Sequence, residues 1–397
     1  MGKLKTVEIL KGKISLKKPG IFRNSLIVAQ FVIAIALICT TIIIYQQFQH
    51  LRKAPLGYSN ASIISIPIKK YEIGKEIVGK MRTLLSSQTS IVSVTGSDVN
   101  LGMGQDNSMS RTGFGFDYKG KSISTDYMTA DYDILKTLGI QPKEGRDFST
   151  AYGADTTTAV IITESMASQL GEKNVIGISF YPDSSKPKWT VVGVIPDFHL
   201  YSMYEKASPL SIGMSNTSFF SYALIKVNTQ NPTATMDIVK SAFAQVQPGE
   251  EFKGSYVNEN IDRWYTNEKR LSSMFTIASI VAIILSCMGL FGMAFIIIRQ
   301  RVKEIGIRKV LGASVGGITT LITKEFIKPV FIALLIATPI AWWAMNKWLQ
   351  DFTYRIDVQW WIFILAGIIA VLIAILTVSF HAIKAAIANP VKSLRTE

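Results

Sequence analysis

A histidine can carry a proton near neutral pH or hold a metal, so the three histidines of this 397-residue chain come first. They are His50, His199 and His381, and no HExxH or clustered-cysteine spacing accompanies them. Each reads as a lone surface or helix-end residue. Acyl-transfer chemistry needs a G-x-S-x-G elbow or an S-x-x-K pair in an enzymatic setting, and neither stands out. Nucleotide hydrolysis by the P-loop route needs G-x-x-x-x-G-K-[ST], which is absent. Gly312-Ala-Ser-Val-Gly-Gly is glycine-rich, but it lacks the lysine and follows a basic loop, not a strand. No catalytic, metal or cofactor site is expected in this chain.

One segment is sharply organised: Arg299-Gln-Arg-Val-Lys-Glu-Ile-Gly-Ile-Arg-Lys-Val-Leu-Gly-Ala-Ser. Its basic residues suit an anionic lipid surface. Lipid anchoring does not explain why Ile305, Ile307, Val310 and Leu311 interleave with Glu304, Arg308 and Lys309, or why Gly306 and Gly312 bracket the element. The pattern predicts a short amphipathic helix, turned by glycines, shaped for a partner's groove.

Apolar runs must position that segment. Ser25 to Gln46 has no charge and is long enough to cross a hydrocarbon core of about 30 Å. It exceeds the roughly 7–15 residues of a signal-peptide core, and Gln-Gln-Phe-Gln-His follows it in place of a cleavage site. It reads as an uncleaved anchor. Further spans are expected at 272–298, 329–346 and 360–381, the third of them short and holding Pro329 and Pro339. No Asp, Glu, Lys or Arg lies in any of these spans, which speaks against an ion-coupled carrier, since such carriers relay the ion through intramembrane ionisable groups.

The net charge of +14 then acquires a direction. Residues 1–24 carry +6, the loop 299–328 carries +5 and the tail 382–397 carries +2. The loop 347–359 is neutral, and 47–271 carries only +1. Lysine and arginine mark the cytoplasmic side, so both termini and the loop 299–328 face inward. Residues 47–271 and the short loop 347–359 lie outside. Five of seven tryptophans border that short loop, at the level of the headgroups. The charge therefore reports sidedness, and no nucleic-acid partner is expected. Cys39 and Cys287 fall inside membrane runs, so the outer segment folds without disulfides.

The outer segment mixes β-branched runs with helical patterns, an α+β domain with separate lobes. Strands are expected at Ser62–Ile66, Ser122–Tyr127, Ala159–Thr163, Trp189–Ile195, Tyr222–Val227 and Lys253–Val257. Helices are expected at Ile73–Ser86, Tyr132–Leu138, Glu164–Leu170 and Thr233–Val246. Past Gln46 no breaker occurs until Pro55, and Glu259 to Leu271 runs without Gly or Pro. Two such extensions predict a helical stalk. The whole is an α-helical membrane protein of four spans with a large α+β domain between the first two.

Arg301-Val-Lys-Glu-Ile-Gly-Ile-Arg-Lys-Val-Leu-Gly-Ala-Ser resembles the hallmark loop of FtsX/MacB-type ABC transporter permeases. Tyr132-Asp-Ile-Leu-Lys-Thr-Leu-Gly-Ile with Glu144-Gly-Arg-Asp-Phe is similar to the core motif of the MacB-like periplasmic domain. Val160-Ile-Ile-Thr-Glu-Ser-Met-Ala, Val191-Val-Gly-Val-Ile-Pro-Asp-Phe-His and Asn389-Pro-Val-Lys-Ser-Leu-Arg extend the likeness along the chain. The resemblance implies a bacterial inner-membrane permease whose loop 299–318 docks a separate cytoplasmic ABC ATPase dimer. ATP and Mg would sit on that ATPase. Stalk helices would pass its closure to the periplasmic domain, for export or extraction of an outer-side substrate. By position, Glu304, Ile305, Gly306, Ile307, Arg308, Lys309, Gly312 and Ala313 would carry the coupling.

Thr6-Val-Glu-Ile-Leu-Lys echoes Pro390-Val-Lys-Ser-Leu-Arg, a phrase that joins tandem units in some relatives. The partner permease is then either a second copy or another four-helix half, with a membrane-fusion or other envelope protein as a further partner. The alternative is a transmembrane sensor signalling through a partner. It has little room for an output domain, and it leaves helices three and four unexplained.

Overall fold

The structure, a computed structural model, describes residues 19–107, 109–182, 187–214 and 219–387. The start of the basic N-terminal segment, with the phrase at Thr6, and the closing Asn389 motif lie outside them. The chain divides into two compact units. One holds residues 48–267 and 351–355, and the other the apolar helices.

The first helix, α1 (Pro19–Lys53), ends on Arg52 and Lys53, cations that suit the negative end of the helix dipole. In the outer unit, β1 (Ile63–Pro67), α2 (Gly74–Leu85) and β2 (Ile91–Ser97) begin a first lobe. A second lobe is inserted next, with β3 (Thr112–Tyr118), β4 (Lys121–Thr129), α3 (Ile134–Leu138), β5 (Glu144–Gly145) and β6 (Ala159–Thr163). It continues through α4 (Glu164–Leu170), β7 (Ser179–Phe180), β8 (Trp189–Ile195) and β9 (Leu210–Gly213). The chain returns to the first lobe with β10 (Tyr222–Val227), α5 (Pro232–Val246), β11 (Ser255–Tyr256) and α6 (Val257–Trp264).

The first sheet runs β11-β1-β10-β2, antiparallel throughout. Each helical crossover, α2 and α5, leaves one strand and rejoins the sheet two places away, a pair of interlocked split βαβ units. Their apolar faces meet it through Ile77, Val78, Met81, Val239 and Phe243. The second sheet is mixed, ordered β3-β4-β9-β6-β8-β5, with β7 also paired to β8. α4 covers part of it with Met166 and Leu170. The lobes are clamped where the Asp131 amide donates to the Gly96 carbonyl (3.0 Å) and Arg82 meets the buried Asp131 (2.6 Å).

The strands expected at 159–163, 189–195 and 222–227 have the observed bounds, while β2, β3, β5, β7 and β9 were not anticipated. The expected unbroken return helix is two helices. α6 stops at Trp264 and α7 (Thr266–Gln300) starts after Tyr265. The Tyr265 ring is fully buried in the outer unit, its hydroxyl accepting from the Met203 amide at 3.2 Å, and this anchoring is incompatible with a smooth helix there.

The second unit holds α7, α8 (Val302–Val310), α9 (Val315–Leu349), α10 (Trp361–Ile387) and α1 up to Gln47. α1, α7, α9 and α10 are long and apolar enough to cross a membrane. The third span, expected from 329, is only part of α9, which already begins at Val315 and carries Pro329 and Pro339 within it. Ala366, Ala370, Ala374 and Ala382 make a buried stripe on α10, matched by Ala333, Ala337 and Ala341 on α9. Small residues let helices approach closely where lipid supplies no hydrophobic drive. A polar contact joins α1 and α7, Thr41 Oγ1 with Ser279 Oγ at 2.9 Å.

Candidate functional site

The segment singled out by its charge pattern folds as α8 followed by a tight corner. Glu304 and Arg308 pair across one helical turn at 2.7 Å, worth only a few tenths of a kcal/mol on a surface. Ile305 turns inward and packs into the core of its unit, and Gly306 is also buried. Gly306 therefore does not turn the chain, as its bracketing position had suggested; it lies mid-helix, where the absence of a side chain suits a buried face.

Gly312 does end the helix. Its φ of +88° is open to glycine and strained for other residues. The Gly312 amide donates to the Lys309 carbonyl (3.1 Å) and the Ala313 amide to the Arg308 carbonyl (2.9 Å), which satisfies the last turn. Two residues on, the Ser314 hydroxyl accepts from the Gly317 amide at 3.1 Å and starts α9. The sequence Leu-Gly-Ala-Ser is thus a helix stop followed by a helix start.

This corner holds apolar side chains away from the unit's core. Ile307 is 52% exposed, Val310 66% and Leu311 80%. Arg308 is exposed beside them, and Ala313 lies on the corner itself. Of the eight residues expected to act together, Glu304, Ile307, Arg308, Gly312 and Ala313 sit on this outward surface. Ile305 and Gly306 support it from inside, and Lys309 is half-buried. Val310 and Leu311 were visible as part of the interleaving, but their exposure depends on where Gly312 stops the helix.

The histidines stay apart. His50 is exposed on α1, and the His381 ring meets Phe291 edge-on at 4.0 Å. His199 is more than a lone surface residue: its Nε2 lies 3.1 Å from the Tyr354 hydroxyl, and burial holds its pKa below the ordinary histidine value. Tyr354 belongs to the connector between α9 and α10, of which residues 351–355 fold with the outer unit. Phe352 is buried there, 5.2 Å from the Tyr204 ring. The chain at the other end of this unit is tied similarly, with Arg52 making a two-pronged pair to Asp262 at 2.7 and 2.8 Å.

The conspicuous motifs of the outer unit serve its architecture. Asp147 accepts from the Leu135 and Phe148 amides (3.0 and 2.8 Å) and so caps α3 from a distant loop. Asp197 caps α4 through the Ser165 amide at 3.0 Å. Arg146 pairs with the buried Asp155 at 2.6 and 2.8 Å and stacks over Tyr152. Among the described residues no cluster of His, Cys, Asp and Glu could hold a metal.

Residues 276–390 match the family described as FtsX-like permease C-terminal. Among solved structures, the chain is similar to the periplasmic region of MacB from Actinobacillus actinomycetemcomitans, at 15% identity over 53% of this chain and 95% of that one, with a TM-score of 0.37. It is also similar to a domain of a permease protein from Porphyromonas gingivalis, at 14% identity, 50% and 91% coverage and a TM-score of 0.34. The extracellular domain of the ABC-type transporter YknZ from Gram-positive bacteria gives 14%, 49% and 98%, and 0.32. No curated protein matches the chain.

Proposed function

We infer that this FtsX/MacB-like permease is the membrane subunit of an ATP-driven transporter, coupling a cytoplasmic ATPase to movement of its outer domain. The observation that carries the reading is the corner at Gly312, where Ile307, Val310 and Leu311 stand exposed beside Arg308. Exposed apolar side chains framed by charge suit the groove of a partner protein. An ABC ATPase dimer, itself holding ATP and Mg, is that partner. Its closure moves α8 and, through the membrane helices, the outer domain.

The charge asymmetry supports an orientation with both termini and α8 in the cytoplasm and residues 48–267 outside, in a bacterial inner membrane. A second permease unit, either another copy or a different four-helix half, completes the pair that an ATPase dimer requires. An envelope or membrane-fusion protein on the outer side is a further partner of this reading.

Leu311→Asp tests it, because Leu311 is exposed and its replacement disturbs no packing within the chain. The chain and its ATPase are co-expressed, and the ATPase recovered with the permease is measured. Recovery should fall about tenfold, the loss expected when a charge is placed in an apolar contact of the interface. The charge reversal Arg308→Glu with Lys309→Glu should act in the same direction while membrane insertion persists. Undiminished recovery in both variants would remove the docking assignment.

A further inference from the structure

The outer unit contains a cavity of about 1100 Å³ at the open edge of its second sheet. Strand β3 forms one wall. As an edge strand reading Thr-Gly-Phe-Gly-Phe-Asp-Tyr, it places Phe114 and Phe116 on one face. Tyr127 from β4 and Trp189 from β8 continue the wall, stacked on each other at 5.1 Å. Phe114 meets both edge-on, at 5.7 and 5.5 Å. Tyr181 stands at the mouth, 57% exposed.

Two carboxylates, Asp98 and Asp117, share this lining, and among the described residues no lysine, arginine or histidine does. Asp98 follows β2 at the crossing between the lobes. Its Oδ1 accepts from the Thr129 amide at 2.7 Å, and among the described residues no cation forms an ion pair with it. Burial pushes its pKa up to about 6. An ionised, unpaired carboxylate beside aromatic rings is an arrangement that a stable core would avoid. A cavity of this size suits a drug-sized ligand, and aromatic faces with carboxylates attract positive charge.

We propose that this cavity binds an organic cation, a quaternary ammonium or protonated amine carried on an aromatic or apolar body. The body lies against Phe114, Tyr127 and Trp189, and the charge faces Asp98. The proposal rests on the permease reading for its purpose, since it names the class of molecule that the outer domain would receive. Its geometry does not depend on the ATPase.

The test uses the full chain in nanodiscs, with empty discs as the blank, and titration calorimetry at about pH 7.5, where Asp98 is ionised. Benzyltriethylammonium is the cationic probe, and N,N-diethylbenzamide is a neutral molecule of similar size. The cation should bind saturably and about tenfold more tightly than the amide. Asp98→Asn keeps an acceptor for the Thr129 amide and should weaken the cation about fivefold or more, with the amide changed less than twofold. Tyr181→Ala, at the exposed mouth, should weaken both.

Absence of saturable cation binding, equal binding of cation and amide, or an Asp98→Asn chain that binds the cation undiminished would each overturn the proposal. Leu311→Asp separates this failure from that of the permease reading, because it should lose the ATPase and retain the cation. A wild-type chain that recovers the ATPase but ignores the cation counts against the cavity alone.

Discussion

Two short connectors join the last three membrane helices, and they treat their apolar residues in opposite ways. Between α7 and α9, Ile307, Val310 and Leu311 are held out in solvent on a capped helix. Between α9 and α10, Phe352 is buried and Tyr354 is bonded to His199. The second connector has found its partner within the chain. The three exposed side chains of the first meet no such cover among the described residues, although holding them in water forgoes several kcal/mol of burial. A connector with exposed apolar groups and well-formed caps is ready for another protein, whereas a buried one is part of the fold.

The largest effect should come from emptying the buried connector. Phe352→Ala removes a ring packed against Tyr204 and should destabilise the outer unit by about 3 kcal/mol. That corresponds to a fall in Tm of roughly 5–10 °C for a unit of this size, read by thermal unfolding of the purified chain. Leu311→Asp in the same assay should leave Tm unchanged. Equal Tm losses in the two variants would erase the distinction between the connectors.

The same contrast runs through what the sequence makes legible. Membrane helices announce themselves because twenty uncharged residues have few soluble alternatives. Strands β6, β8 and β10, rich in Val and Ile, were also plain, with α4 beside them. Strand β2 was not, because Ile91-Val-Ser-Val-Thr-Gly-Ser reads as weak alternation closed by a glycine. Gly96 is there for proximity: a Cβ would come within 2.4 Å of the Phe220 ring. In β3 two glycines likewise imitated punctuation. The break at Tyr265 left no Gly or Pro to see, since a tertiary contact causes it. Of the candidate site, composition and order were legible in residues 299–314, but the assignment of inside and outside was not. Ile305 and Ile307 are two residues apart on one helix and face opposite ways. The cavity went unseen because its walls come from β3, β4 and β8, brought together only by the sheet order.

A smaller effect should follow from Gly312→Ala. No atom lies within 4 Å of where the new Cβ would sit, so the cost is that of a left-handed backbone alone, about 1 kcal/mol. Because the corner sets how Leu311 is presented, recovery of the ATPase should drop a few-fold while the outer unit's Tm does not move. Full recovery would mean that the exposed side chains, and not their exact presentation, decide docking.

The smallest effect concerns the bond that fastens the buried connector. Tyr354→Phe removes the contact with His199 and should cost about 1 kcal/mol, close to the limit of detection by Tm. A pH series makes it more telling. Burial lowers the His199 pKa, while the neighbouring Asp197 works in the other direction, and burial is the larger influence. The folded state therefore prefers the neutral ring. The unfolded chain takes up a proton first as pH falls past its ordinary value of about 6.5, so stability is full above that value and declines below it. His199→Phe should flatten the decline between about pH 7.5 and 5.5, and Tyr354→Phe should keep it, because the cause is burial and not the hydrogen bond. ATPase recovery, which the proposed function assigns to the other connector, should be the same across these variants at each pH. A recovery that followed the His199 profile would show that the two connectors act as one.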